Sequence, residues 1–387
     1  MIPLSVPELR GNEWAYVKEC LDSGWISTAG PMLPRFEDRL RDYLGAGHAV
    51  GTSSGTAALH VALLAAGTRP GDLVLVPSLT FIASVNPVRY CGADPVFLDS
   101  DPDTGCLDPA QVADFLAGAC TPGTYDAPPV DRRTGRPIRA LVAVHLFGHP
   151  VDMDPLVETC RRYGLRLIED AAESLGARYR GRYTGTLGDL ACLSFNGNKT
   201  ITTGGGGMVL TADAAFAKRV RYLVNQARDH AVEFIHHDVG YNYRLTALQA
   251  AVGCAQMDHV DDFLARKRAH AAAYRAALGE VDGLTLLPER PWAQSSRWLN
   301  AARLDPRRGL SHAVAVERLA ALGVESRPFF TPVHGLRPYA GCHTHGTAVA
   351  SRLHDEGITL PSSVGLTAED LDTVCRAVAR VVGEAAP

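Results

Sequence analysis

One lysine and the glycines behind it carry the sharpest chemistry in the chain. Ser194-Phe-Asn-Gly-Asn-Lys199-Thr-Ile-Thr-Thr-Gly-Gly-Gly-Gly207 puts Lys199 in a tight polar loop after an apolar run. An amine there condenses with a carbonyl to a Schiff base once burial lowers its pKa. The same segment also reads as a surface lysine in a glycine-rich turn. It is not a phosphate loop of the G-x-x-x-x-G-K-[ST] type, because Asn198 rather than glycine precedes the lysine. Asp170 stands 29 residues earlier, where Glu169-Asp170-Ala-Ala-Glu173 ends another apolar run with acidic groups. A carboxylate at Asp170 can hold a protonated heterocycle, such as the pyridinium of pyridoxal 5′-phosphate (PLP), whose proton makes the ring an electron sink. The plainer role is a helix N-cap. Gly51-Thr-Ser-Ser54-Gly55-Thr56-Ala-Ala-Leu opens a helix with small hydroxyl residues and free N–H groups, which form a cup for a phosphate or an ordinary cap. Phe81, in Pro77-Ser-Leu-Thr-Phe81, either lies flat on a ring or fills core.

These groups need a frame. From about residue 46 to 211 short apolar runs alternate with helical segments, the pattern of an α/β fold whose mostly parallel sheet is covered on both faces. Strands are expected at Leu73–Val76, Pro95–Leu98, Ala140–His145, Leu165–Glu169, Leu190–Phe195 and Gly207–Leu210. Ligands of such sheets gather at the carboxyl ends of the strands, so the loops that follow are where to look. Helical spacing over Thr246–Leu278, in one or two helices, carries the chain onward. A strand at Leu299–Leu304 with helices near Ala313–Leu322 and Ala368–Val382 suggests a smaller α+β domain. The expected division is a large domain over 1–255 and a small one over 256–387. Cys120–Arg139, with four prolines and four arginines, interrupts the first as a surface loop or hairpin.

A formal charge of −4 gives no global attraction to nucleic acid or to an acidic membrane surface, so an anionic ligand has to be held by local groups. Nine cysteines without a C-x-x-C pair read as reduced packing residues. Cys342-His343-Thr-His345 lacks ordered ligand spacing, and no metal is expected. No apolar run approaches the roughly 18 residues of a membrane span. The start Met-Ile-Pro-Leu-Ser-Val-Pro-Glu has no leader-like pattern, so a cytoplasmic location is expected.

Seven motifs occur in order: Gly51-Thr-Ser-Ser-Gly-Thr-Ala-Ala-Leu, Pro77-Ser-Leu-Thr-Phe-Ile-Ala-Ser-Val-Asn, Val144-His-Leu-Phe-Gly, Glu169-Asp-Ala-Ala-Glu-Ser, Ser194-Phe-Asn-Gly-Asn-Lys, Gly240-Tyr-Asn-Tyr-Arg and Leu360-Pro-Ser-Ser. Together they resemble the DegT/DnrJ/StrS family of sugar aminotransferases, which have the aspartate aminotransferase fold (PLP fold type I). The resemblance implies PLP as cofactor, Lys199 as its Schiff-base residue, Asp170 at the pyridine nitrogen and Phe81 stacked on the ring. It implies Ser54, Gly55, Thr56 and Ser194 on the phosphate. Glu173 stands where many relatives have glutamine or histidine near the ring hydroxyl. Asn242 matches an asparagine given to the phosphate across the interface of a homodimer with shared active sites. His145 is implied beside the cofactor, and Arg244, Arg327 and His334 as substrate contacts; each also reads as a core, ion-paired or solvated residue.

Relatives with histidine in place of the lysine dehydrate their sugars, so Lys199 implies transamination instead. The expected reaction moves an amino group from an amino acid, glutamate, to the keto carbon of a nucleotide-linked deoxysugar. The forms around Lys199 and the insertion Cys120–Arg139 look most like enzymes of the legionaminic acid and bacillosamine pathways. That implies UDP-4-keto-6-deoxy-N-acetylglucosamine as the substrate. The alternative is GDP-4-keto-6-deoxymannose, the substrate of perosamine synthases, which usually carry glutamate at the position of Gly205. A PLP-dependent sugar dehydratase is a further alternative. A non-enzymatic regulator is another, disfavoured by an acidic chain without a basic recognition helix.

Overall fold

The computed structural model describes residues 1–230 and 232–384. Short runs such as Leu73-Val-Leu-Val-Pro77 have no polar face to turn to water, so they form strands covered on both sides. Among the described residues an eight-stranded sheet runs in the order His48–Thr52, Gly207–Thr211, Leu190–Ser194, Arg166–Asp170, Ile138–Val144, Leu73–Pro77, Asp94–Leu98, His343–His345. Gly207–Thr211 is antiparallel to both neighbours, and every other pairing is parallel. Side chains alternate along each strand. Leu73 and Leu75 therefore enter one core layer, while Val74 and Val76 enter the layer on the opposite face. A third layer packs the helices Met32–Leu44 and Ala247–Met257 around Phe36 and Phe195.

The six expected strands form, with ends shifted by up to two residues. Two strands of the large sheet were not expected. His48–Thr52 is short and contains glycine, and His343–His345 is polar and lies at the sheet edge beside Asp94–Leu98, so neither has an apolar run to mark it. Cys120–Arg139 contains a short hairpin, with Cys120–Thr121 paired to Val130–Asp131. The helical stretch expected over 246–278 is two helices, Ala247–Met257 and Val260–Leu278. The longer one leads to a four-stranded antiparallel sheet ordered Leu284–Leu286, Asn300–Leu304, Gly357–Leu360, Arg327–Pro328, packed on its own apolar core with the helix Ala368–Gly383. Because His343–His345 returns to the large sheet, the chain beyond 256 contributes to both sheets. Among the described residues no helix is long and apolar enough to cross a membrane.

Phe36 couples the third layer to the sheet. Its ring is fully buried, meets Phe195 edge-on at 5.1 Å, and fits only because residue 253 is glycine, whose β-carbon would come within 2.5 Å of it. Phe36→Ala is expected to lower unfolding stability by about 3–5 kcal/mol, measured by urea denaturation, through lost burial and the cavity left behind.

Candidate active site

Parallel strands deliver their following loops to one edge of the sheet, and here those loops meet around a cavity of about 280 Å³. The strand Arg166–Asp170 supplies its floor. Adjacent residues on a strand face opposite ways, so Glu169 points into the body of the protein while Asp170 lines the cavity. Asp170 Oδ1 accepts a bond from the Ala172 amide at 3.1 Å, and Oδ2 accepts from the Ser84 hydroxyl at 2.7 Å. Beneath it, Glu169 accepts from the His145 ring at 2.9 Å and from the amides of Gly185, Leu187 and Gly188 at 2.7–2.8 Å. Burial would raise the Glu169 carboxyl, but these bonds outweigh it and hold the group below its ordinary value. His145 Nδ1 accepts from the Val151 amide, so its Nε2 carries the hydrogen given to Glu169.

At one end of the cavity stands the N-terminus of the helix Gly55–Ala65. Ser54 caps it, its Oγ accepting from the Ala57 amide at 3.0 Å, while Gly55 and Thr56 line the space with Ser194. This end is closely packed. A β-carbon on Gly207 would come 2.5 Å from the Ser54 carbonyl, and one on Gly55 would come 2.8 Å from Ser194 Cβ. Free N–H groups, hydroxyls and the positive end of the helix make this an anion cup.

Lys199 reaches the same cavity from the loop after Leu190–Ser194. Its Nζ lies 3.6 Å from Glu173 Oε1 and 3.9 Å from the centre of the Trp298 ring. Glu173 Oε2 accepts from the Phe147 amide at 2.8 Å. Burial pushes the Glu173 carboxyl up to about 7 and outweighs the attraction of Lys199, so the pair is only partly an ion pair at neutral pH. Phe147 reaches Glu173 through a backbone in the left-handed region, φ +55°, a conformation that costs a bulky residue of order 1–3 kcal/mol. Phe81 is half exposed at the cavity, its ring 5.6 Å from that of Phe330, which stacks in turn on Phe147.

Of the residues singled out in the sequence, Ser54, Gly55, Thr56, Phe81, Asp170, Glu173, Ser194 and Lys199 line this cavity together. The other five do not. His145 is buried behind it on Glu169. Asn242 is exposed, and Arg244 bonds the Thr28 carbonyl at 3.4 Å. Arg327 is exposed and paired with Glu325. His334 bonds the Ser78 hydroxyl at 2.6 Å and is held below the ordinary histidine value by burial. Ser84, Trp298 and Phe330 are among the lining residues that carried no expected role. Ser84 lies inside a quoted motif, but nothing about a serine announces a carboxylate partner. Trp298 and Phe330 come from the distant four-stranded part, and no local pattern in the sequence ties them to Lys199.

The donor set suits PLP: an anion cup for a phosphate, a carboxylate floor for a pyridinium, aromatic walls and one lysine. Fold and site together define an α/β enzyme of the PLP-dependent class. Residues 7–379 match the DegT/DnrJ/EryC1/StrS aminotransferase family, and the chain belongs to it. It is a PLP-dependent sugar aminotransferase. It is 42% identical to the GDP-perosamine synthase of Caulobacter vibrioides over 384 residues, 98% of each chain. To the GDP-perosamine synthase of Escherichia coli O157:H7 it is 37% identical, covering 97% of each. Among solved structures, DesV of S. venezuelae, crystallised with a ketimine intermediate, is similar at 34% identity and a TM-score of 0.86, over 98% of this chain and 99% of that one.

The raised Glu173 carboxyl has a sign that stability measurements can read. A group that binds its proton more tightly folded than unfolded contributes stability below its unfolded value and loses it as pH rises through the folded one. In the cofactor-free protein, stability relative to Glu173→Gln is expected to fall by up to about 3 kcal/mol between pH 4.5 and about 7 and to stay level above. Urea denaturation of both proteins across that range checks it, and parallel curves would contradict it.

Proposed function

We propose that the protein transfers an amino group from glutamate to the C4 keto carbon of GDP-4-keto-6-deoxymannose. The observation that carries this reading is the full-length likeness to two proteins named GDP-perosamine synthase. It favours this alternative over the expectation of a UDP-linked N-acetyl sugar. That expectation rested on a few residues around Lys199 and on the insertion, whereas the likeness spans 384 residues and holds despite Gly205.

Bound PLP supplies the electron sink that lets an amino group leave one carbon and join another. Lys199 Nζ anchors the cofactor and moves the proton at the substrate carbon, a general acid and base role commonly worth about 10²- to 10⁴-fold in rate. Asp170 keeps the proton on the pyridine nitrogen. Its bonds from Ser84 and Ala172 hold the carboxylate in the orientation this requires. Ser54, Gly55, Thr56 and Ser194 bind the phosphate. Glu173 would stand near the ring hydroxyl and, with its carboxyl pushed up to about 7, would hold or release a proton beside Lys199 without forcing a second full charge next to Asp170. Phe81 and Trp298 exclude water from the cavity.

The same reading includes a homodimer with shared sites. Large apolar side chains left exposed at Trp25, Phe234 and Val239, together with exposed Asn242, support it. It also includes a division into a PLP-binding part over 1–255 and a smaller part over 256–387 that gives the cavity Trp298 and Phe330.

Side-by-side kinetics with glutamate on GDP-4-keto-6-deoxymannose and on UDP-4-keto-6-deoxy-N-acetylglucosamine test the substrate. The expected kcat/KM is at least about 100-fold larger for the GDP sugar, a floor below the roughly 10⁴- to 10⁵-fold that sites built on buried hydrogen bonds reach. A larger value for the UDP sugar would overturn the substrate and leave amino transfer standing.

A further inference from the structure

The tryptophan beside Lys199 is held in place from outside the cavity. Besides facing the Lys199 ammonium, the Trp298 indole donates its Nε1–H to the carbonyl of Asn198, the residue before the lysine, at 2.7 Å. The Trp298 carbonyl accepts in turn from Lys267 Nζ at 3.2 Å. Lys267 is carried on the helix Val260–Leu278 and is 2% exposed. Its ammonium also donates to the Ser362 carbonyl at 2.6 Å, and the Ser362 hydroxyl accepts from the backbone and side-chain amides of Asn300. One buried cation thus joins the helix, the segment entering the strand Asn300–Leu304 and the Leu360-Pro-Ser-Ser turn.

Such a cation is costly. Among the described residues no carboxylate pairs with Lys267, and burial pushes its ammonium down to about 7. Methionine or leucine would fill the same volume without that cost. What the lysine adds is direction: one of its bonds holds the Trp298 carbonyl and the other ties that carbonyl to the Ser362 turn, so the indole stands where its own Nε1–H reaches the Asn198 carbonyl.

We propose that Lys267 is a positioning residue for the reaction: it seats Trp298, and through the indole it fixes where the Lys199 amine stands. This rests on the reading of Lys199 as the reactive amine. The ring acts on Lys199 in two ways, through attraction between the ring face and the ammonium and through the bond that holds the Asn198 carbonyl. Releasing the ring relaxes both. Lys267 does not line the cavity, so its loss is expected to act through the placement of Lys199 rather than on substrate binding.

The test is a double-mutant cycle on the full-length, PLP-loaded enzyme, with Lys267→Met and Lys267→Gln each made beside Trp298 and beside Trp298→Phe. Beside Trp298, Lys267→Met is expected to lower kcat by about 10-fold or more with KM changed by less than about two-fold, as for a misplaced reacting group. Beside Trp298→Phe the same substitution is expected to change kcat by less than about two-fold. Lys267→Gln, which keeps an N–H donor, is expected to recover part of the loss and provides a folded variant should methionine in this place prevent folding. A second readout needs no turnover: without substrate, the visible band of the bound cofactor shifts in Lys267→Met and in Trp298→Phe, and no further in the double variant. Equal losses of kcat in both backgrounds would overturn the inference and leave Lys267 a packing residue. So would a lower melting temperature with kcat and the band unchanged. A band that survives Lys199→Ala overturns the assignment of Lys199, and this inference with it. A band lost with Lys199 but indifferent to Lys267 overturns this inference alone.

Discussion

Glu169 holds its negative charge with no exposure to solvent, and a buried charge persists only where donors surround it. Four do: the His145 ring from the end of Ile138–Val144, and the amides of Gly185, Leu187 and Gly188 from the loop before Leu190–Ser194. Two segments are thereby locked to the strand that carries this one carboxylate. A slip of the strand Arg166–Asp170 by a single residue would turn Glu169 toward the cavity and Asp170 into the core, which the four donors forbid. The floor of the active site is therefore set by a residue that never faces it.

The same turn that positions His145 also carries the strain. Phe147 adopts a left-handed backbone, and the glycine after it has φ +91° with the Ser296 hydroxyl where a β-carbon would stand. This geometry points the Phe147 amide at Glu173 and the Gly148 carbonyl at the hydroxyls of Ser295 and Ser296. The strained turn thus links the carboxyl beside Lys199 to the segment that delivers Trp298. Phe330, stacked on Phe147, adds a contact from the loop after Arg327–Pro328. The large sheet and its loops bring Asp170, Lys199 and Phe81 to the cavity, and the chain beyond residue 256 adds Trp298 and Phe330 to the same cavity.

Much of this could be read from the sequence, because residues at the ends of buried strands sit beside motifs that local chemistry marks. Lys199, Asp170 and the Ser54-Gly55-Thr56 turn belong to that kind, and so do the strands that carry them. Glu169 did not show its role, since its four donors come from segments 16 to 24 residues away in either direction along the chain. Trp298, Phe330 and Lys267 stayed hidden for the same reason at longer range. The strand His343–His345 was read for its side chains, although its backbone amides and carbonyls are what join the sheet. The sugar was not legible there, because a handful of loop residues near the lysine report on the cofactor that the family's aminotransferases use more than on the nucleotide.

The central claim is that Lys199 is the residue that joins PLP. The chain has four lysines, Lys18, Lys199, Lys218 and Lys267. Borohydride reduction of the purified PLP-loaded protein, followed by mass spectrometric mapping of its peptides, tests the claim directly. A single reduced cofactor adduct on Lys199 is the predicted result; an adduct on Lys18, Lys218 or Lys267 with Lys199 unmodified would contradict it.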